Sequence, residues 1–168
     1  LPDTHAFTTV LKAWAKSKRP DRAYRSQALF SDFCNVCKSL PDAMPNTVSY
    51  NTLLESLVAP INCNAERWQN LERAEVIFHD MLSQPYHNVA PNTTTYRLLI
   101  FAWADLSLKC RRAKEPDQGK IAMDRAFAVL QQMIHMRSAD NSLDVDSTFF
   151  SRLVANLASH KATRRDLE

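Results

Sequence analysis

Apolar residues recur along this chain with the 3.6-residue period of a helix. Further large apolar residues follow an opening aromatic residue by three, four and seven positions, which places them on one helical face. This stripe occurs four times: Phe7, Val10, Leu11 and Trp14; Tyr50, Leu53, Leu54 and Leu57; Tyr96, Leu99, Ile100 and Trp103; and Phe150, Leu153, Val154 and Leu157. A Pro-Asp or Pro-Asn pair precedes each of the first three stripes, which predicts helix starts, and Asn46 or Thr47 is expected to cap the second one. The pattern therefore predicts a repeat protein with buried stripes.

A second amphipathic pattern follows each of the first three stripes, so the chain is predicted to form helix–turn–helix units. Its copies are Ser26, Leu29, Phe30 and Phe33; Ala74, Ile77, Phe78 and Met81; and Ala126, Val129, Leu130 and Met133. The expected helices are 4–17, 20–38, 47–58, 65–83, 93–108, one beginning at 116, 147–160, and one beginning at about 161. No segment alternates with period two, so no sheet is expected.

These helices predict an all-α fold, an α-solenoid of stacked hairpins, because one hairpin cannot bury its own apolar face. The residues 1–168 are expected to form a single repeat domain with units at about 4–46, 47–92 and 93–146 and a truncated unit at 147–168. No Met opens the chain and no secretory signal pattern is present, so we expect a fragment of a longer chain.

Composition limits the classes of function. The 168 residues carry a formal net charge of +3, which neither establishes nor opposes a nucleic-acid partner. There is no apolar run of about 18 residues, so no membrane partner is expected. The single glycine argues against a glycine-rich phosphate loop, and no serine elbow or paired-histidine metal motif occurs. We therefore expect no enzyme activity, no catalytic residue, no metal and no cofactor.

The spacing of the cysteines does not predict a metal or redox site. Cys34 and Cys37 have metal or redox spacing, but no second pair of Cys or His at ligand spacing accompanies them, and Cys34 lies deep inside a predicted helix. We interpret the pair as two small residues on a helix.

The units resemble pentatricopeptide repeats. Residues 48–54, Val-Ser-Tyr-Asn-Thr-Leu-Leu, are similar to the opening of that family's consensus, and residues 71–81 are similar to its second helix. The resemblance covers essentially the whole chain, whereas the tetratricopeptide signature is absent. It implies single-stranded RNA as the partner, a mitochondrial or plastid location, and a role in RNA processing, stability or translation.

The resemblance also implies that each repeat reads one base with two side chains. One reader follows the opening aromatic residue, and the other is the last residue of the same repeat. In the first repeat these are Thr8 and Asn46, which look like an adenine reader. In the second they are Asn51 and Asn92, which look like a pyrimidine reader.

The third and fourth repeats fit this scheme less well. Arg97 and Asp146 are the expected readers of the third repeat, but they fall outside the usual combinations. The alternative interpretation is that they form an internal ion pair. Ser151 belongs to a fourth repeat whose second reader is not in the chain.

Three more residues take roles from the resemblance. Val48, two residues before the aromatic residue, is expected to sandwich a base. His5 holds the same place in the first repeat and either stacks on a base or is simply exposed at the helix start. Lys16, late in the first helix, is expected to contact phosphate.

Two basic clusters either contact RNA phosphates or are solvated surface turns. They are Lys12, Lys16, Lys18, Arg19, Arg22 and Arg25, and Lys109, Arg111, Arg112 and Lys114.

The repeats are longer than is typical of the family. The opening aromatic residues are 43, 46 and 54 positions apart. We expect the extra residues in the turns, chiefly 59–70 and 105–119, as long loops that could hold a protein partner. This feature supports the alternative function, a structural scaffold or protein-interaction module within an organellar assembly such as a ribosome.

Overall fold

The computed structural model describes residues 3–39, 43–83, 89–139 and 151. Within these residues it contains six α-helices and no β-strand, which confirms the expected all-α class. The helices are α1 (Thr4–Lys16), α2 (Arg22–Cys37), α3 (Thr47–Val58), α4 (Asn64–Ser83), α5 (Thr93–Arg112) and α6 (Pro116–Ala139). The chain folds as two compact units, Leu1–Thr95 and Tyr96–Glu168. Apart from Ser151, the helices expected at 147–160 and after 161 lie outside the described residues.

Side-chain caps define two of the helix starts. The Asp3 carboxylate accepts a hydrogen bond from the backbone N–H of Ala6 at 2.8 Å and caps α1. The Asn46 side chain accepts one from the N–H of Ser49 at 3.0 Å and caps α3. These bonds satisfy N–H groups that have no partner inside the first helical turn. Of the two caps expected for α3, Asn46 is the one used.

The start of α2 differs from the prediction. The helix begins at Arg22 rather than at Pro20, and Asp21 makes no side-chain capping bond. Its carboxylate instead binds Arg19 at 2.9 Å and Arg25 at 3.3 Å. Competition from two guanidinium groups therefore draws the Asp21 side chain away from the helix N-terminus.

A chain of aromatic contacts connects the first three helices. Phe7 of α1 stacks on Phe33 of α2 with ring centroids 4.3 Å apart, and Phe33 meets Phe30 edge to face at 6.3 Å. Phe30 in turn meets Tyr50 of α3 edge to face at 4.8 Å. Burial, together with the charge of the nearby Cys34, raises the pKa of Tyr50 to about 12. Edge-to-face and offset-stacked rings add to the free energy of burial, so these rings form the core of the first unit.

The predicted stripes are buried in α3 and α5 but only partly in α1. Leu11 is fully buried, whereas Val10 is 47% exposed, so the expectation that Val10 lies in the core is wrong. Within the described residues α3 packs against α1, α2 and α4, whereas α1 packs against α2 and α3. A central helix buries a wider stripe than a helix covered on fewer sides.

The long loop expected at 59–70 is also wrong. Helix α4 begins at Asn64, so the connection from α3 is only 59–63. The buried positions of α4 follow the helical period from its second turn and are Arg67, Asn70, Leu71, Ala74, Phe78 and Met81. Arg67 is 2% exposed and Asn70 is 4% exposed. The predicted helix at 65–83 is thus confirmed to within one residue, and the expected loop at 59–70 overlapped it.

The long loop expected at 105–119 is wrong for a different reason. Helix α5 continues to Arg112, and its last turn is rich in cations, which the negative end of a helix dipole favours. Lys114 then adopts a left-handed conformation with φ 63°. The N–H groups of Lys114 and Glu115 bond back to the carbonyls of Arg111 at 3.0 Å and Cys110 at 2.8 Å. This is the Schellman pattern that ends a helix, so only 113–115 connect α5 to α6.

Close packing of α5 on α6 depends on the single glycine of the chain. A Cβ at Gly119 would lie 3.1 Å from the backbone oxygen of Ser107 and from Cγ of Arg111, tighter than most such contacts. The Ser107 hydroxyl donates to the Gly119 carbonyl. Further along the hairpin, the Arg125 guanidinium lies 5.2 Å from the centre of the Trp103 ring. The third helical hairpin is therefore tightly packed.

Candidate nucleic-acid interface

Side chains of α1 and of the α3 start form a first polar junction, which consists of Thr8, Asn46 and Ser49. The Thr8 hydroxyl donates to the backbone oxygen of Thr4 at 2.7 Å and lies 2.8 Å from the Ser49 hydroxyl. The Ser49 hydroxyl also lies 3.2 Å from Oδ1 of Asn46. Because Thr8 gives its proton to Thr4, the Ser49 hydroxyl is the donor in the contact with Thr8. The Ser49 N–H donates to Oδ1 of Asn46 at 3.0 Å. The expected readers Thr8 and Asn46 are thus linked through Ser49.

Side chains of α3 and of the α5 start form a second polar junction, which consists of Asn51, Asn92 and Thr95. Asn51 Nδ2 donates to Oδ1 of Asn92 at 3.1 Å, and Asn51 Oδ1 accepts from the Thr95 hydroxyl at 2.7 Å. Asn92 Oδ1 also accepts the N–H of Thr95 at 3.2 Å, and the N–H of Asn92 donates to the Thr95 hydroxyl at 3.0 Å. The expected readers Asn51 and Asn92 are therefore in direct contact.

A second pair of hydrogen bonds shows that the two junctions are structurally equivalent. The Thr4 hydroxyl donates to the carbonyl of Met44 at 2.9 Å, and the Thr47 hydroxyl donates to the carbonyl of Ala90 at 3.1 Å. Each threonine is the first residue of its helix, and each carbonyl lies two residues before a capping asparagine. Equivalent residues of successive hairpins thus make equivalent contacts, so the repeat is present in the contacts as well as in the sequence.

The two junctions bury the first reader and leave the cap more accessible. Thr8 is 7% exposed and Asn51 is 8% exposed, whereas Asn46 is half-buried and Asn92 is exposed. The Oδ1 atoms of both caps are occupied by internal donors. Within the described residues nothing accepts a hydrogen bond from Nδ2 of either cap. Each junction therefore offers amide N–H donors to a ligand.

The other predicted contact residues lie on accessible surface. Val48 is 51% exposed and lies three residues before Asn51, on the same face of α3. His5 is exposed and has the same spacing from Thr8 on α1. Lys16 is exposed in the last turn of α1. The first unit thus presents an aliphatic surface beside the second junction and a cation at the far end of α1.

The readers expected in the third and fourth repeats are not brought together in the described residues. Arg97 is half-buried on α5, but Asp146 lies outside the described residues, so their ion pair stays a prediction. Ser151 is helical and exposed.

Ser49 and Thr95 were not among the residues selected from the sequence. Each lies three residues after a capping asparagine, donates its N–H to the cap and directs its hydroxyl to the preceding helix. The signal in the sequence is Asn-x-x-Ser/Thr at two successive helix starts, where the asparagine caps the N–H of the third residue after it. The second role of Ser49 and Thr95, contact with the expected reader of the previous hairpin, depends on how the helices pack.

No metal site accompanies these junctions in the part of the chain that the structure describes, since no group of three His, Cys, Asp or Glu side chains converges there. The Cys37 thiol donates to the carbonyl of Ala43, and burial raises the pKa of both Cys34 and Cys37. The helices over 3–39, 43–83 and 89–139 include none with the length and apolarity to cross a membrane. Comparison with known protein families yields no matching family, and no curated protein sequence matches the chain.

Proposed function

We propose that this chain is an α-solenoid of pentatricopeptide-type hairpins that binds single-stranded RNA with base selectivity. The observation that carries the proposal is the equivalence of the two polar junctions. In each of two successive hairpins, the residue after the opening aromatic residue is linked to the asparagine that caps the next odd-numbered helix, through Ser49 in the first and directly in the second. Repeat proteins that read RNA use two or three such side chains for each base.

The junctions have the chemistry that base recognition requires. The amide groups of Asn46 and Asn92 have Oδ1 engaged internally, so their N–H groups are the atoms left to bind a base. Those N–H groups match acceptor atoms on the Watson–Crick edge of an unstacked base. The exposed Val48 methyl groups supply an apolar surface for the flat face of the base at the second junction. Under this proposal one nucleotide binds at each junction, and Lys16 contacts a phosphate.

The proposed biological role is organellar RNA processing, stability or translation, in a mitochondrion or plastid. The protein itself supplies recognition and carries no catalytic group in this proposal.

Binding of fluorescein-labelled homopolymers of adenine, cytosine and uracil tests the proposal by fluorescence anisotropy. The unmodified chain is expected to discriminate among the three, and the double variant Thr8→Ala/Asn51→Ala is expected to lose that discrimination. The matched control is Thr9→Ala/Asn35→Ala, which changes the same residue types at exposed positions of α1 and α2. Equal affinity of the unmodified chain for all three homopolymers would contradict base selectivity.

A second candidate function is a structural scaffold that binds protein within an organellar assembly. The observation that favours it is the internal use of the expected readers, since Thr8 and both polar ends of Asn51 already have hydrogen-bond partners. The loops proposed to hold the partner are short, so a scaffold would have to use helix faces instead. Lack of RNA binding at low salt, combined with a stable fold, would favour this function.

A further inference from the structure

Positive charge is concentrated in one short segment of the first unit. Residues 12–25 contain six Lys or Arg and one Asp, a net charge of +5, whereas the whole chain has +3. The remaining residues therefore carry a net charge of −2. The connection between α1 and α2 carries the exposed cations Lys18 and Arg19, and the exposed Arg25 follows in the first turn of α2.

This connection is held in a fixed conformation. Arg22 Nη2 donates to the carbonyl of Pro60 at 2.9 Å, and its Nη1 donates to the carbonyl of Ser17 at 3.3 Å. One guanidinium thus ties the α1–α2 connection to the connection that follows α3. The cations on this surface are presented by an anchored turn rather than by a free loop.

Asp21 brings two further guanidinium groups together. Arg19 Nε donates to one oxygen of the carboxylate at 2.9 Å, and Arg25 Nε donates to the other at 3.3 Å. The bond with Arg19 lowers the pKa of Asp21, so the carboxylate stays charged at neutral pH. One carboxylate cannot neutralise two guanidinium groups, and each retains N–H donors. A paired, pre-oriented guanidinium group is well suited to phosphate oxygens.

An exposed aromatic ring lies within the same surface. Tyr24 is 66% exposed, the largest value among the exposed large apolar side chains of the described residues. Tyr24 lies in the first turn of α2, directly before Arg25 and three residues after Asp21, so the exposed ring is close in sequence to both guanidinium groups. No other large apolar side chain in 11–39 is exposed to this degree. A single ring among cations suits stacking on one base, whereas insertion into a lipid surface requires several apolar side chains.

We infer that the turn surface formed by Lys18, Arg19, Tyr24 and Arg25 is a second RNA-binding site. Its cations hold backbone phosphates without regard to sequence, and Tyr24 stacks on one unpaired base. The inference rests on the proposed function in that the same RNA strand contacts the polar junctions. Thr8 and Lys16 are eight residues apart on α1, or about 12 Å. A strand read at the first junction therefore reaches the turn surface within a few nucleotides.

The test compares two triple variants of the full chain that remove the same charge. Lys18→Gln/Arg19→Gln/Arg25→Gln neutralises the turn surface, and Lys38→Gln/Arg73→Gln/Lys120→Gln neutralises exposed cations outside it. Affinity for each homopolymer is measured by anisotropy across a salt series, with circular dichroism to verify the helical fold.

The turn variant is expected to weaken binding of every homopolymer by a similar factor, on the order of ten- to a hundredfold at 0.1 M salt. The slope of log affinity against log salt should fall by about 2, because each lost phosphate contact on a single strand contributes about 0.7. The control variant should retain the slope. Equal behaviour of the two variants would overturn the inference.

This outcome is separable from failure of the proposed function. Loss of affinity without loss of base preference identifies the turn surface, whereas the Thr8→Ala/Asn51→Ala variant addresses base preference without a change of charge. A chain that binds all homopolymers equally, but through the turn surface, would contradict base reading and support this inference. No RNA binding by the unmodified chain would overturn both.

Substitution of Tyr24 tests stacking separately from charge. Tyr24→Leu is expected to weaken single-stranded RNA binding about five- to a hundredfold, whereas Tyr24→Phe should retain it. Binding of duplex RNA, which offers no unpaired base, should be the same for both variants. Equal single-strand affinity of the Leu and Phe variants would show that Tyr24 does not stack on a base.

Discussion

The two polar junctions occupy equivalent places in successive hairpins but connect the helices differently. In the first, Thr8 reaches Asn46 only through Ser49, whose hydroxyl contacts Thr8 and whose N–H donates to Asn46. In the second, Asn51 contacts the cap Asn92 directly and also accepts a hydrogen bond from Thr95. The cause is the side chain at the reader position, because an amide has a donor and an acceptor and reaches further than a hydroxyl.

This difference teaches that one backbone arrangement supports two kinds of polar link. The hydroxyl of Ser49 or Thr95 is common to both. Whether the expected reader also contacts the cap depends on the side chain at position 8 or 51. Under the proposed function, a base at the first junction meets the cap Asn46, which is held only by residues at the start of its own helix. At the second junction the cap is held from two helices. The second junction is therefore the more rigid template.

The largest expected effect comes from reversing the polarity of the direct link. Asn51→Asp replaces the Nδ2 donor with a carboxylate oxygen that faces Oδ1 of Asn92 in a nearly buried position. We expect the free energy of unfolding at pH 7 to fall by about 2–3 kcal/mol in urea titration. The loss should diminish as pH falls through the raised folded-state pKa of the new carboxyl group and should be gone below about 4, the unfolded-state value, because the protonated group can again donate.

The control for this substitution is Gln69→Glu, which adds the same charge at an exposed position of α4. We expect it to change stability by less than about 0.5 kcal/mol at either pH. A similar loss in both variants would mean that added charge, and not the contact with Asn92, causes the effect.

A smaller effect is expected from the coupling between reader and cap. A double-mutant cycle with Asn51→Ala and Asn92→Ala should give an interaction energy of about 1 kcal/mol, because the two side chains are in contact. The equivalent cycle with Thr8→Ala and Asn46→Ala should give less than about half of that value. Equal coupling in the two cycles would remove the distinction between a direct and a relayed link.

The smallest effect concerns the hydroxyl relay itself. Thr8→Val retains the shape of the side chain but removes its contact with Ser49, and we expect a loss of about 1 kcal/mol in the free energy of unfolding. Thr9→Val is the matched control, because Thr9 has only the local bond to the carbonyl of His5 at 2.8 Å and is exposed. The difference between the two variants, measured by thermal unfolding, reports the inter-helix bond. A difference of zero would contradict the relay.

Helix α3 shows how much of the fold the sequence could predict. Its bounds, Thr47–Val58, agree with the prediction because a strong cap precedes it and an uninterrupted apolar stripe runs through it. Helix α4, predicted at 65–83, agrees to within one residue, whereas α5, predicted at 93–108, was predicted too short. The last turn of α5 is cationic, and hydrophobic periodicity does not indicate how far such a polar turn continues a helix. What periodicity did not indicate in α4 is that the polar residues Arg67 and Asn70 are buried.

The candidate site was predictable only in part. Asn51 and Asn92 were paired from the resemblance, and the structure brings them into contact across 41 residues of sequence. Ser49 and Thr95 were missed, because a hydroxyl three residues after a cap is ordinary at a helix start. Only the packing of one hairpin against the next gives that hydroxyl a second partner.

The sequence alone determined the all-α class, the starts of α1 and α3, and the apolar stripe of each helix, since these depend on interactions within a few residues. Tertiary structure decided which of those faces is buried, how far α5 extends, and which side chains meet at the polar junctions. The physical reason is that burial and hydrogen bonding between helices depend on distances that local propensity does not encode. Val10 has the spacing of a core residue but is exposed, and Arg67 has the chemistry of a surface residue but is buried.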